Sequence, residues 1–227
     1  MLSNRVKSLK PSPTLALATK AKELKAAGHD VISLSVGEPD WDTLPSVKAA
    51  GIAAIEDGNT KYTPSNGLPE LRKAICEQTN QDFHSNYQAD QVTVSTGGKF
   101  IIFSLMQTVI NPGDEVIIPA PYWVSYPTQV ELAEGQPITV SCDHKTNYKL
   151  SAELLEQSIT DKTKLLVLNS PSNPTGFMYS REELSALAEV LRKHPQVLVM
   201  SDDIYNRLVF NEEGLAPHLL HVAPDLK

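Results

Sequence analysis

The stretch VLVMSDDIY, Val197 to Tyr205, sets two carboxylates, Asp202 and Asp203, behind an apolar run. Four apolar residues in succession predict a strand buried on both faces. A carboxylate left buried and unpaired is costly, so the acids either emerge into water or meet a cation where the strand ends. Period-two alternation lets only one of them face the ligand side while the chain stays extended. Three more clusters carry usable chemistry. GGK, Gly97 to Lys99, precedes an apolar helical stretch. Free backbone N–H groups and the helix dipole at such a start favour an anion such as phosphate, although glycines there also make plain tight turns. The GxxxxGK[ST] spacing of a Walker loop is absent. APYW, Ala120 to Trp123, puts an indole in a loop, where a tryptophan can equally be core. PSNPTG, Pro171 to Gly176, is rich in turn formers and offers the Asn173 amide as a donor, with an ordinary turn as the alternative.

Each cluster follows a predicted strand. VTVST (92–96) precedes GGK, and a helix is expected from about Phe100 to Ile110, closed by the turn Asn111-Pro112-Gly113-Asp114. EVIIP (115–119) precedes APYW, KLLVLNS (164–170) precedes PSNPTG, and VLVMS (197–201) precedes the acids. Between the last two strands a helix opens with Ser180 and Glu183 in capping-box spacing, and Leu184, Leu187, Ala188 and Leu191 form its apolar face. Short apolar strands alternating with helices imply a three-layer α/β/α fold around a mostly parallel sheet. Ligands of such sheets bind outside the carboxyl ends of the strands, where all four clusters fall.

Composition narrows the partners. The 227 residues are 41% hydrophobic, enough for a substantial core, and 20 Lys+Arg against 27 Asp+Glu give a formal charge of -7. That balance argues against nucleic acid or an anionic membrane and for a small-molecule partner. Cys76 and Cys142 match no metal or redox spacing and are expected to be packing residues in a reducing cytoplasm. No metal ligand set is expected. No apolar run suits a signal peptide or a bilayer span, so a cytoplasmic location is expected.

Taken in order, LSVGEPDWDT (34–43), KYTPSNGLPELR (61–72), STGGK (95–99), NPGDEVIIPAPYWVSYP (111–127), NSPSNPTG (169–176) and SDDIY (201–205) resemble the fold-type-I pyridoxal-phosphate aminotransferases of the class I aspartate aminotransferase kind. The resemblance implies pyridoxal 5'-phosphate as cofactor and amino acids with 2-oxo acids as substrates, most simply aspartate with 2-oxoglutarate. It implies that Asp202 faces the pyridinium nitrogen, that Tyr205 and Asn173 hydrogen-bond the ring's phenolic oxygen, and that Trp123 stacks on the ring. Backbone at Gly98 and Lys99 would hold the phosphate, and Tyr62 would reach the phosphate of a neighbouring subunit in a homodimer. Gly37 would lie against the substrate carboxylate, and Asp203 would be structural. KPSPT, Lys10 to Thr14, is similar to the segment of relatives that also accept prephenate, with Lys10 as the added cation. The resemblance further implies cis peptides at Ala120-Pro121 and Asn173-Pro174.

It divides the chain into 1–44, an N-terminal arm with part of the small domain, and 45–227, a cofactor-binding large domain incomplete at its C-terminus. The family's Schiff-base lysine, in a motif near SKxxxxxGxR, and its carboxylate-binding arginine lie in later motifs that these 227 residues do not contain. The chain alone is therefore expected to be inactive. A non-catalytic binding or dimerisation module is the alternative, and a transcription regulator would need a basic winged-helix segment that is not seen.

Overall fold

The computed structural model describes residues 1–7, 9, 13–34, 37 and 41–227, leaving aside the side chains of 13–15. They form two compact units, Met1–Pro64 and Ser65–Lys227. The first contains α1 (Asn4–Lys7), α2 (Pro13–Ala26) and α3 (Pro45–Glu56). Pro stands at the start of α3, where its missing N–H costs nothing, and α3 buries none of its residues.

The second unit holds the sheet. It runs α4 (Pro69–Phe83), α5 (Gly98–Val109), β1 (Glu115–Ala120), α6 (Ser125–Leu132), β2 (Gln136–Ser141), α7 (Ala152–Ser158), β3 (Thr163–Asn169), α8 (Arg181–Lys193), β4 (Leu198–Asp202) and α9 (Leu219–Val222). All three ladders are parallel, in the order β2-β1-β3-β4. Helices cover both faces, as the sequence predicts. On one, Met106 of α5 and Tyr126 and Val130 of α6 pack on Val116, Ile118, Leu165 and Val167. On the other, Leu155 of α7 and Leu184, Leu187 and Leu191 of α8 pack on Ile117, Leu166 and Leu168. Alternate residues of β1 and β3 thus serve opposite cores. The capping box of α8 forms as expected, with Glu183 N–H donating to Ser180 Oγ at 3.2 Å and Ser180 N–H to the Glu183 carboxylate at 2.7 Å.

Two elements depart from expectation. Val92–Thr96 has strand composition but joins no ladder. It is held instead by isolated bonds, Val94 N–H to Asn66 O at 3.1 Å, Val92 N–H to Ala89 O at 3.3 Å and Arg72 Nε to Val92 O at 3.1 Å. Gly67 lets it pass, since a Cβ there would lie 2.7 Å from Val94 Cβ. In the other direction, QPITVS, not foreseen as a strand, is β2. Its Pro137 lacks a ladder donor, which an edge strand tolerates.

Cys76 and Cys142 are free and buried, and burial raises the Cys142 thiol above its ordinary value, keeping it protonated and inert. Among the described residues no helix is long and apolar enough to cross a membrane, and no group of three or more His, Cys, Asp or Glu side chains could hold a metal ion.

Candidate functional site

Chain order fixes where a ligand can enter. From β1 the chain crosses to β2 on one side, then returns past β1 to β3 on the other. The crevice at such a reversal opens beyond the carboxyl ends of β1 and β3. A narrow cleft, open to solvent, lies there, lined among others by Tyr122, Tyr126, Asn169, Asn173 and Phe177.

β4 carries its acid to the same edge. Asp202 is the last residue of β4, opposite Asn169 of β3. Its Oδ2 accepts the Tyr126 hydroxyl at 2.6 Å, and its backbone carbonyl accepts Asn169 Nδ2 at 2.9 Å. Burial, then the bond to Asp202, raises the Tyr126 phenol far above its ordinary value, so the phenol stays a neutral donor. Asp203 faces the other way, with Oδ1 accepting Ser201 Oγ at 2.7 Å. Alternation therefore separates the two acids as the sequence predicts.

The loop after β3 is set by the same asparagine. Asn169 Oδ1 accepts the backbone N–H of Asn173 at 2.8 Å, and Asn173 Nδ2 points to Tyr205 Oη at 3.4 Å. Peptides are cis at Ala120-Pro121 and Asn173-Pro174, as expected, and also at Ser170-Pro171. Trp123 meets Tyr126 edge to face, with ring centroids 5.4 Å apart. Lys99 Nζ stands 5.1 Å from the Trp123 centroid. No side chain caps α5, whose first residue is Gly98, so its leading N–H groups are left for solvent or an anion. Gln129 Nε2 fastens that turn through Lys99 O at 3.0 Å.

Contacts thus link Trp123, Asp202, Asn173 and Tyr205 in a chain through Tyr126 and Asn169, with Lys99 beside Trp123, and of these predicted residues Asn173 lines the cleft. Gly37 and Tyr62 belong to the first unit, where both are exposed, and Lys10 lies outside the described residues. Sequence reasoning missed Tyr126 and Asn169. Each sits inside a quoted motif, Tyr126 one helical turn after Trp123 and Asn169 at the head of NSPSNPTG.

Residues 29–227 match the family Aminotransferase class I and II. The chain belongs to this family. It is 54% identical to the aspartate/prephenate aminotransferase of Cereibacter sphaeroides over 211 residues, 93% of this chain and 53% of that protein. It is 51% identical to the Bacillus subtilis aspartate aminotransferase over 209 residues, 92% of this chain and 53% of that one. The crystal structure of the aspartate aminotransferase from Rhizobium meliloti superposes with a TM-score of 0.95 at 42% identity, covering 100% of this chain and 56% of that one. The chain thus spans little more than half the length of the aminotransferases it matches.

Proposed function

We propose that this chain forms the pyridoxal 5'-phosphate-binding portion of an aminotransferase acting on aspartate and 2-oxoglutarate, with prephenate as a further acceptor. The observation that carries the proposal is the Asp202 carboxylate, held at the end of β4 by Tyr126 beside an aromatic face and an uncapped helix start. That donor set fits the group. A carboxylate suits a protonated ring nitrogen, an indole suits a planar ring, and a helix N-terminus suits a phosphate.

When bound, pyridoxal phosphate supplies a pyridinium that draws electrons from the substrate's Cα–H. Asp202 would hold the proton on that nitrogen, and Tyr126, donating to Asp202, would keep its charge and orientation. Asn173 and Tyr205 would donate to the phenolic oxygen, Trp123 would cover one ring face, and Gly98 and Lys99 would hold the phosphate. Gly37 would border the substrate carboxylate, Lys10 would meet a second carboxylate, and Tyr62 would serve a partner's phosphate in a cytoplasmic homodimer. Residues 1–44 would be arm and small-domain segment, and 45–227 the cofactor domain. Turnover is proposed for a protein of the relatives' length. For the 227 residues alone, the proposal is cofactor binding without transamination.

Pyridoxamine 5'-phosphate, titrated into the chain and followed by ring fluorescence, tests this. Saturable binding of one molecule per chain, weakened about tenfold by Trp123→Ala, is expected. Binding that does not saturate, or that ignores Trp123→Ala, would overturn it. In a protein of the relatives' length, Asp202→Asn should keep the cofactor and slow turnover by about a thousandfold, while Asp203→Asn is far milder.

A further inference from the structure

The turn after β4 is fastened from its far side by residues outside the proposed cofactor set. Asp203 Oδ2 lies 3.3 Å from His218 Nε2, and the His218 side chain is only 10% exposed. His218 Nδ1 accepts the backbone N–H of Leu220 at 3.1 Å. That nitrogen carries no hydrogen, so Nε2 carries the one that reaches Asp203. The ring also stacks on Phe83, with centroids 4.0 Å apart and planes 17° from parallel. Cap, carboxylate and phenyl together leave the imidazole one orientation.

A second clamp runs in parallel. Arg207 Nη2 donates to both Asp82 oxygens, at 2.6 and 2.7 Å. His221 Nδ1 accepts the His218 N–H at 3.1 Å, and its Nε2 donates to the Asp82 carbonyl at 2.8 Å. Asp82 and Phe83 close α4, so residues 203 and 207 are tied at both ends to the same helix terminus. Within the turn, Ile204 N–H donates to Asp202 Oδ1 at 3.3 Å, and Asn206 N–H to Asp203 O at 3.0 Å. Among the described residues, the hydrogen bond found at the Tyr205 hydroxyl is the 3.4 Å approach of Asn173. A contact that long does not hold a side chain, so the turn must.

We propose that His218 is a positioning residue for the cofactor site: by holding Asp203 behind the end of β4, it fixes turn 203–206 and with it the Asp202 carboxylate and the Tyr205 hydroxyl. The role toward the cofactor rests on the proposed pyridoxal-phosphate function. The clamp itself does not. Asp203 and Asp202 share one peptide, so rotating the first displaces the second. Asp203 has His218 on one side and Tyr87 on another, where burial and then the charge of Asp203 raise the phenol.

Three variants test the role in the full chain. His218→Phe keeps a ring on Phe83 but removes both polar contacts, His218→Gln restores an amide donor, and Asp203→Asn removes the charge. Amide hydrogen exchange is read at Asn206 and, as a reference, at Leu187 in α8. Pyridoxamine 5'-phosphate affinity is read separately. His218→Phe should speed exchange at Asn206 about tenfold without doing so at Leu187, and should weaken affinity about tenfold. His218→Gln should recover most of both, and adding Asp203→Asn to His218→Phe should change little more. Unchanged exchange and affinity in His218→Phe, or exchange that rises equally at both amides, would overturn the role. Failure of the unaltered chain to bind the ligand would overturn the cofactor function instead, and exchange at Asn206 would still decide whether His218 positions the turn.

Discussion

The two faces of the sheet end differently at the carboxyl edge of the strands. On the α7 and α8 face, Leu155, Leu184, Leu187 and Leu191 close a continuous apolar layer over Ile117, Leu166 and Leu168. On the α5 and α6 face an equally apolar layer gives way at its end to Trp123, Tyr126 and Asp202. The backbones come from the same strands, so the contrast lies in which residue of each alternating pair meets which helix. One face is a sealed apolar layer that meets the cleft only through Tyr179, and the other combines packing with a half-buried phenol–carboxylate pair.

Substitutions can break that contrast, beginning with the sealed face. Leu187 is 0% exposed, so Leu187→Ala should cost about 2–5 kcal/mol in urea unfolding. At temperatures where the variant is folded, its affinity for pyridoxamine 5'-phosphate should match that of the unaltered chain. Tyr126→Phe, on the other face, should cost less, about 1.5 kcal/mol, for one charge-assisted hydrogen bond. It should also weaken the ligand, which Leu187→Ala should not. An affinity change confined to Leu187→Ala would invert the assignment of the two faces.

Two smaller effects concern α8 and the end of α4. Ser180→Ala removes half of the capping box that starts α8, and should lower stability by about 1 kcal/mol with no change in ligand affinity. Acid should act through His221. Burial holds this imidazole below its ordinary value of 6.5, opposed by its bond to the Asp82 carbonyl and aided by the charge of Arg181. The folded state favours the neutral ring, whereas the unfolded chain takes up a proton near 6.5. This contribution is complete above that pH and is lost as pH falls through the lower folded value. Urea midpoints should drop between pH 7.5 and pH 5.5, and the drop should be smaller in His221→Gln. An equal drop in both proteins would remove His221 from the account.

Much of this organisation is legible in the sequence wherever a local rule decides it. The Ser180 and Glu183 spacing and the apolar face of α8 need only helical geometry, and both appear as expected. β1 and β3 read as buried strands and are buried, whereas β4, read the same way, lies at the sheet edge with Leu198 44% exposed, because only β3 covers its flank; all three deliver their C-terminal residues to one end of the sheet. Legibility ends where pairing is non-local. QPITVS, with its proline and polar residues, does not read as a strand until β1 supplies a partner, and VTVST reads as one yet pairs with no strand. The contacts of Tyr126 and Asn169 with Asp202 span 76 and 33 residues, separations that spacing cannot reveal. The split between Asp202 and Asp203 follows from alternation, but the identity of the His218 partner does not.

In the proposed function Asp202, supported by Tyr126, would hold a proton on the ring nitrogen of a bound pyridine. Nitrogen NMR of ring-labelled pyridoxamine 5'-phosphate bound to the chain at pH 8 reads that proton directly. A protonated nitrogen in the unaltered chain that becomes neutral in Asp202→Asn is the predicted result. The same nitrogen shift in both proteins would contradict it.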